Sequence, residues 1–294
     1  MAAISGQEFN PLRHAIILAE RDCASPISST PAQMLERTRA RTSISVPEHR
    51  TLTVLTKMAG DEPIAPNGCA IGAEASRNIL LQPANRGTAA AILFALMRIA
   101  NQTPNNAVAI FPADHNLTDD RVFMRHVNFA FSAVEARPEL TVILGMAALG
   151  PECSYGWIEP GDQLSSSDPV RAVRRFVGQP EYSLAIDLMR RGALWNSFVT
   201  VARVSTLLSL IMIAEPELYS AFVSIRSAIG TRTERSVIER LYSDIPQVGF
   251  SGVLAGGPVN LAVLPVSGVA FRNVVDSPAM PVAATRPVSA SAAV

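Results

Sequence analysis

The stretch Phe111-Pro112-Ala113-Asp114-His115 follows an apolar run, Ala107 to Phe111, and sets a carboxylate at the carboxyl end of a buried strand. In open parallel sheets ligands gather at that end. An aspartate there can hold Mg²⁺ between phosphate oxygens, and it can equally cap a turn. His115 reads as a packing or hydrogen-bonding residue. A second stretch, Gln82-Pro83-Ala84-Asn85-Arg86-Gly87-Thr88-Ala89-Ala90, lies between a strand and a long helix. Asn85 can cap that helix, and backbone N–H groups at its start can receive an anion. A plain capped loop fits the same pattern. In Tyr155-Gly156-Trp157-Ile158-Glu159-Pro160-Gly161, a glycine between aromatics marks close approach of a ligand or an ordinary strand edge. In Leu194-Trp195-Asn196-Ser197-Phe198, an amide sits inside an apolar strand. A buried asparagine needs partners, either backbone groups or a sugar hydroxyl.

The elements that must position these residues alternate along the chain. His14–Ala19, Arg50–Lys57, Asn78–Gln82, Ala107–Phe111 and Leu140–Gly145 read as strands. Pro31–Arg41, Thr88–Ala100 and Thr118–Arg137 read as helices; the second is rich in Ala and Leu, and its composition predicts burial. Strand–helix alternation through about residue 150 predicts a parallel sheet covered on both faces. Ala107–Phe111, apolar on both faces, is expected at its centre. Beyond it, Ser154–Pro160, Val170–Val177, Leu194–Val201 and Leu261–Val266 read as strands. Glu181–Arg191, Ser205–Ile229 and Arg232–Tyr242 read as helices. One domain over 1–276 is expected, with residues 1–13 loose. The Pro/Ala/Ser-rich stretch 277–294 reads as a disordered tail.

Composition narrows the function classes. Of 294 residues, 48% are apolar and 17% charged, against roughly 25% charged in an average globular protein. The chain therefore has ample material for a core. Its 25 basic and 25 acidic residues cancel, which argues against nucleic acid as a partner. Lys57 is the single lysine. Cys23, Cys69 and Cys153 are widely spaced and form no C-x-x-C, as expected of reduced thiols in a cytoplasmic protein. The longest apolar runs, Leu140–Leu149 and Val204–Ala214, fall short of the roughly 20 residues that span a bilayer, so no membrane association is expected.

Singly these motifs are weak; their order and spacing carry more. P-A-N-R-G-T-A, then P-A-D-H, Y-G-W-I-E-P-G, R-R-F-V-x-x-P and L-W-N-S-F resemble the sugar-1-phosphate nucleotidyltransferases, closest to the mannose-1-phosphate guanylyltransferase branch. The resemblance runs from about residue 14 to about residue 276. It implies an α/β, Rossmann-like nucleotide-diphospho-sugar transferase fold, a mainly parallel mixed sheet with helices on both faces. It also implies that GTP and a sugar-1-phosphate are joined with release of pyrophosphate and the help of Mg²⁺. Carried over by position, Asn85, Arg86, Gly87 and Thr88 fall in the nucleotide pocket and Asp114 is a Mg²⁺ ligand. Tyr155, Gly156 and Asn196 fall along the sugar. Homo- or hetero-oligomers are compatible with this reading.

The chain departs from the family where charge is handled. The family's first strand leads into G-G-x-G-T-R-L, whose backbone N–H groups wrap a triphosphate; here Glu20-Arg21-Asp22-Cys23-Ala24 follows. P-K-Q becomes Pro31-Ala32-Gln33, and F-x-E-K-P becomes Phe176-Val177-Gly178-Gln179-Pro180. W-x-D-x-G, the source of the second Mg²⁺ ligand, becomes Phe271-Arg272-Asn273-Val274-Val275, with Asp276 three residues away. Arg86, Arg174 and Arg175 are the candidates to replace the lost lysines, though arginine differs from lysine in geometry. The expectation is a guanylyltransferase-type protein with impaired activity. The alternative is a non-catalytic homologue that binds a nucleotide or regulates a partner.

Overall fold

The computed structural model describes residues 10, 12–19, 31–56, 78–166, 168–256 and 260–273. Glu20, Asp22, Cys23, Lys57, Cys69, Asp276 and the 277–294 tail lie outside the described residues.

The apolar run at the start forms β1 (Arg13–Ala19), followed by α1 (Pro31–Thr42), β2 (Thr51–Thr56) and β3 (Ile79–Gln82). Then come α2 (Gly87–Ala100), β4 (Ala107–Pro112), β5 (His115–Leu117), α3 (Asp120–Ala136) and β6 (Thr141–Ala147). The second half holds β7 (Trp157–Gln163), β8 (Arg171–Val177), α4 (Tyr182–Arg190) and β9 (Leu194–Arg203). It continues through α5 (Val204–Ala214), α6 (Pro216–Ala228), α7 (Glu234–Tyr242), α8 (Phe250–Gly256), β10 (Leu261–Val266) and β11 (Phe271–Asn273).

Nine strands form one mixed sheet in the order β3-β2-β1-β4-β9-β6-β10-β8-β7. Pairings of β1 with β2 and β4, of β2 with β3, and of β6 with β10 are parallel. Within this sheet, β8 and β9 run against the rest. As its apolar sequence predicts, β4 is internal, flanked by β1 and β9. The expectation of helices on both faces also holds. On one face α2 and α5–α8 pack around Ile16, Ile110 and Val263. On the other, α3 and α4 cover Ala109, Phe111, Val142 and Leu144. Helix α2 is buried nearly all round, from Ala89 to Ala100, which matches its Ala/Leu composition. At the start of α3, the Asp119 carboxylate accepts the Val122 N–H and caps the helix.

Three details differ from the sequence reading. The helix expected over Ser205–Ile229 is two, α5 and α6. Pro216 cannot donate a helical hydrogen bond, and Glu215 leaves helical geometry with φ −137°. Strand β7 begins at Trp157, so Ser154–Gly156 enters as a loop. The short elements β5, β11 and α8 went unread because three to seven residues carry too little periodicity.

Candidate active site

The described candidate residues meet the sheet at one edge, the carboxyl ends of its parallel strands. The loop Pro83–Arg86 follows Gln82 at the end of β3, and Asp114 follows Pro112 at the end of β4. Strand β9 is antiparallel to β4, so its first residues reach the same edge, where Asn196 stands opposite Gly145 in β6. Gly156 immediately precedes β7, and its carbonyl accepts the Asn196 N–H at 2.8 Å. Residues far apart in sequence are gathered along one rim because the helices and antiparallel strands between them return the chain to it.

The loop before α2 is held by bonds within the protein. Asn85 Oδ1 accepts the Gly87 N–H at 2.8 Å, although the N-cap position itself is Arg86, one residue later than the sequence suggests. Gly87 has φ +82°, and a Cβ there would lie 2.2 Å from the Val248 carbonyl oxygen. This is where glycine is required. The Val248 carbonyl also accepts the Ala89 N–H, and the Arg86 carbonyl accepts the Val248 N–H. Two N–H groups at the helix start, expected to be open to an anion, are thus already paired. The Arg86 guanidinium donates to the carbonyls of Tyr242 and Ser243 at 2.9 and 2.6 Å, closing the end of α7. Thr88 Oγ1 accepts the Phe250 N–H at 2.8 Å and ties the loop to α8. Beneath it, the buried Gln82 amide bridges Thr56 Oγ1 and the Tyr242 hydroxyl. Burial pushes the Tyr242 phenol far up, so it donates as a neutral group.

Asp114 lies half-buried in the turn between β4 and β5. Strand β11 pairs antiparallel with β5, with Asn273 opposite His115. The backbone therefore carries Asn273 to within a residue of Asp114 along the paired strands. Thr38 Oγ1 donates to the Ala113 carbonyl, and the buried Arg41 donates to the His115 carbonyl and to Asp120. Burial, then the charge of Arg41, hold the His115 imidazole pKa well below its usual value, so it is neutral at pH 7. Among the described residues, no three His, Cys, Asp or Glu side chains group as a metal site.

Before β7, Tyr155 is 5% exposed and packs tilted against Trp195, ring centroids 5.0 Å apart. Its ring belongs to the core. Gly156 leaves the Asn196 amide uncovered: a Cβ there would sit 3.8 Å from Asn196 Nδ2. Asn196 Oδ1 accepts the Phe198 N–H at 2.8 Å, and Nδ2 has no partner among the described residues. Of the sequence alternatives for Asn196, the backbone one accounts for its Oδ1.

Phe198 is the residue that sequence reasoning missed. It has φ +64°, the one non-glycine residue with positive φ among those described. That conformation costs a bulky side chain about 1–2 kcal/mol. The register of β9 against β6 shifts at this point, between Ile143 and Gly145. The Asn196 bond and an edge-to-face contact with Phe250, centroids 6.0 Å apart, offset the cost. Nothing in W-N-S-F signals it, since left-handed backbone is read from glycine or asparagine.

Comparison with known proteins agrees with this geometry. The nucleotidyl transferase family model matches residues 24–223. The alginate biosynthesis protein AlgA of Pseudomonas fluorescens is 30% identical over 148 residues, covering 50% of this chain and 30% of that protein. A mannose-1-phosphate guanylyltransferase of Escherichia coli is 31% identical over 146 residues, covering 48% of this chain and 31% of that protein. The match thus spans about a third of the length of these curated relatives. A solved structure, described as mannose-1-phosphate geranyltransferase from Thermus thermophilus, superposes with TM-score 0.74 at 22% identity. It covers 90% of this chain and 76% of its own, and shows the fold. The Rossmann-like sheet and the matched family model together establish that the chain belongs to the nucleotidyl transferase family.

Proposed function

We propose that the chain is a sugar-1-phosphate nucleotidyltransferase of the mannose-1-phosphate guanylyltransferase type, with low activity. In the reaction, a phosphate oxygen of mannose-1-phosphate attacks the α-phosphorus of GTP. The bond to the β-phosphate oxygen breaks, and GDP-mannose and pyrophosphate result. The observation that carries the reading is the shared rim, along which the Asn85–Thr88 loop, Asp114 and the Gly156–Asn196 pair all lie at the carboxyl ends of the parallel strands. The loop would orient the nucleotide, and Asn196 Nδ2 would donate to a sugar hydroxyl. Asp114 is the side chain that would hold a Mg²⁺, which when bound would supply positive charge against the reacting phosphates.

Low activity follows from where the remaining donors point. Two anions must meet, so the site needs cations and free N–H groups aimed at the phosphates. Arg86 is committed to the Tyr242 and Ser243 carbonyls, and the Gly87 and Ala89 N–H groups to Asn85 and Val248. Each electrostatic stabiliser lost costs about 3 kcal/mol in comparable enzymes, a factor on the order of 10² in rate. The test is calorimetry with GTP and Mg²⁺ plus a pyrophosphate-release assay with mannose-1-phosphate. We expect no saturable GTP binding at micromolar concentration and turnover far below a typical ~10 s⁻¹. Tight binding with turnover near that value would overturn the low-activity reading. Those same committed donors favour a second reading, a non-catalytic homologue with a regulatory role. Tight GTP binding without turnover would select it.

A further inference from the structure

Strand β8 carries two arginines in a row, and a break in its pairing with β7 brings both to one cavity. Glu159 pairs with Arg175 across the ladder and Pro160 with Val173, so Arg174 has no opposite residue. This is a β-bulge, which leaves the extra residue unpaired and re-aims its side chain. In a regular strand successive side chains point to opposite faces. Here Arg174 and Arg175 line the same cavity of about 400 Å³, together with Glu159, Pro160 and Arg191. None of the rim residues, Asn85–Thr88, Asp114, Gly156 or Asn196, lines it.

Glu159 organises the cluster. Its carboxylate accepts Arg175 Nε at 2.9 Å and pairs with Arg191 at 3.2 Å. Arg191 follows α4, and its Nε also donates to the Asp187 carbonyl, so β7, β8 and the end of α4 converge here. The Glu159 side chain is 14% exposed, against 50% and 53% for Arg175 and Arg191. The carboxylate thus lies beneath, and the guanidinium groups face solvent. Three guanidinium groups surround one carboxylate, which leaves two positive charges in a chain of zero net charge. Arg174 has no acceptor among the described residues. Arg175 engages Glu159 through its Nε, and its two terminal nitrogens have none either.

We propose that this cavity is an anion site separate from the rim, where Arg174, Arg175 and Arg191 take the phosphate of a small molecule. Planar guanidinium forks match phosphate oxygens in pairs, which lysine cannot do. The volume falls within the roughly 300–1,000 Å³ of small-molecule pockets. No aromatic ring lines it, so nothing there stacks a base, and the phosphate itself is the recognised group. By pairing with both Arg175 and Arg191, Glu159 holds two like charges close together before a ligand arrives. That preorganisation lowers the cost of binding.

The experiment titrates inorganic phosphate and glycerol phosphate calorimetrically, without Mg²⁺ or nucleotide. The proteins are the unmodified chain, Arg174→Gln, Arg174→Lys and Arg235→Gln. Arg174 has no polar partner to lose, so its variants should melt with the unmodified chain. Arg235 is exposed and pairs with Glu239 within α7, so its variant is a control with the same change in net charge as Arg174→Gln. We expect the unmodified chain to bind phosphate, and Arg174→Gln to bind it more weakly by about ten-fold. Arg174→Lys should fall between the two, because it keeps the charge and loses the fork. Arg235→Gln should change affinity by less than about two-fold, as a distant screened charge does. Glycerol phosphate binding at least as tightly as inorganic phosphate assigns the site to a phosphomonoester; weaker binding assigns it to the free ion. Unchanged affinity in Arg174→Gln overturns the proposal. An equal loss in Arg235→Gln also overturns it, as a response to net charge alone, and so does the absence of binding to the unmodified chain. None of these outcomes bears on the rim, which is tested with GTP.

Discussion

Replacing Gly87 by alanine tests how firmly the loop before α2 is locked to the chain that follows α7. The new Cβ would lie 2.2 Å from the Val248 oxygen and 2.8 Å from its carbonyl carbon. Real Cβ atoms keep at least 3.0 Å from such neighbours, so the Val248 peptide must retreat by about 0.8 Å. Backbone cannot yield as the end of a flexible side chain does. The retreat strains two hydrogen bonds of 3.1 Å, from Ala89 N–H to Val248 and from Val248 N–H to Arg86. Each contributes about 0.5–1.5 kcal/mol net. The positive φ of +82° adds about 1–2 kcal/mol for any L side chain. The sum is about 2–5 kcal/mol, a large share of a typical total of about 5–15. Gly192 provides the control, with φ +75° and nothing within 4 Å of a built Cβ. There only the conformational cost applies, about 1–2 kcal/mol. Urea melts followed by circular dichroism measure both. If Gly87→Ala costs no more than Gly192→Ala, the contact with Val248 is not tight and the account of the closed helix start fails.

Acid should destabilise the protein before its carboxylates titrate. Burial and the Arg50 charge lower His14 to about 4, while His14 Nε2 faces Thr103 and Asn106. An unfolded histidine, pKa near 6.5, takes up protons first, so stability is full above about pH 6.5 and falls as pH drops toward 4. Partial exposure limits the His14 share to about 1–2 kcal/mol. His115, also lowered, acts in the same direction. A midpoint in urea that is flat from pH 7 to pH 4.5 would refute both. Ser197→Ala strands the buried Leu144 carbonyl and Val199 N–H, and should cost about 2–3 kcal/mol by chemical denaturation; a loss under about 0.5 would refute it. Arg86→Met should lower stability by about 1–2 kcal/mol through the Tyr242 and Ser243 carbonyls, with GTP affinity unchanged. A ten-fold loss of GTP affinity would instead place that guanidinium on phosphate.

The parallel core was legible because its strands are local apolar runs or, in β2, a local alternation of threonine and apolar residues, and its longest buried helix is a local Ala/Leu run. Ala107–Phe111 announces a strand buried on both faces, and β4 is one. The antiparallel insertion of β9 between β4 and β6 was not, since nothing in Leu194–Arg203 records its partners. At the site, the rim could be read from motif order. Its occupancy could not, because the bonds that close it join residues about 160 positions apart, such as Thr88 to Phe250 and Arg86 to Ser243. Arg86 looks like a free cation in sequence and serves as a cap in three dimensions. The left-handed phenylalanine is illegible for a different reason: backbone conformation at one residue is set by the packing of rings across strands, here Phe198 on Phe250.

The place of β9 in the sheet also governs what happens while the chain is being made. Strand β4 gains one neighbour, β1, early, but its second edge stays open until Leu194–Arg203 has left the ribosome. About 80 residues separate the end of β4 from the start of β9, which at 5–20 residues per second is a delay of about 4–16 s. Throughout it, an edge whose first five residues are buried in the finished protein offers unpaired N–H and C=O groups to any passing strand. Strand β6 is synthesised in the same interval and meets the same wait, because β9 is what joins it to the first half. Nascent chains ending between α3 and α4 should therefore be the species that holdase chaperones bind, and that aggregate when the chaperones are depleted.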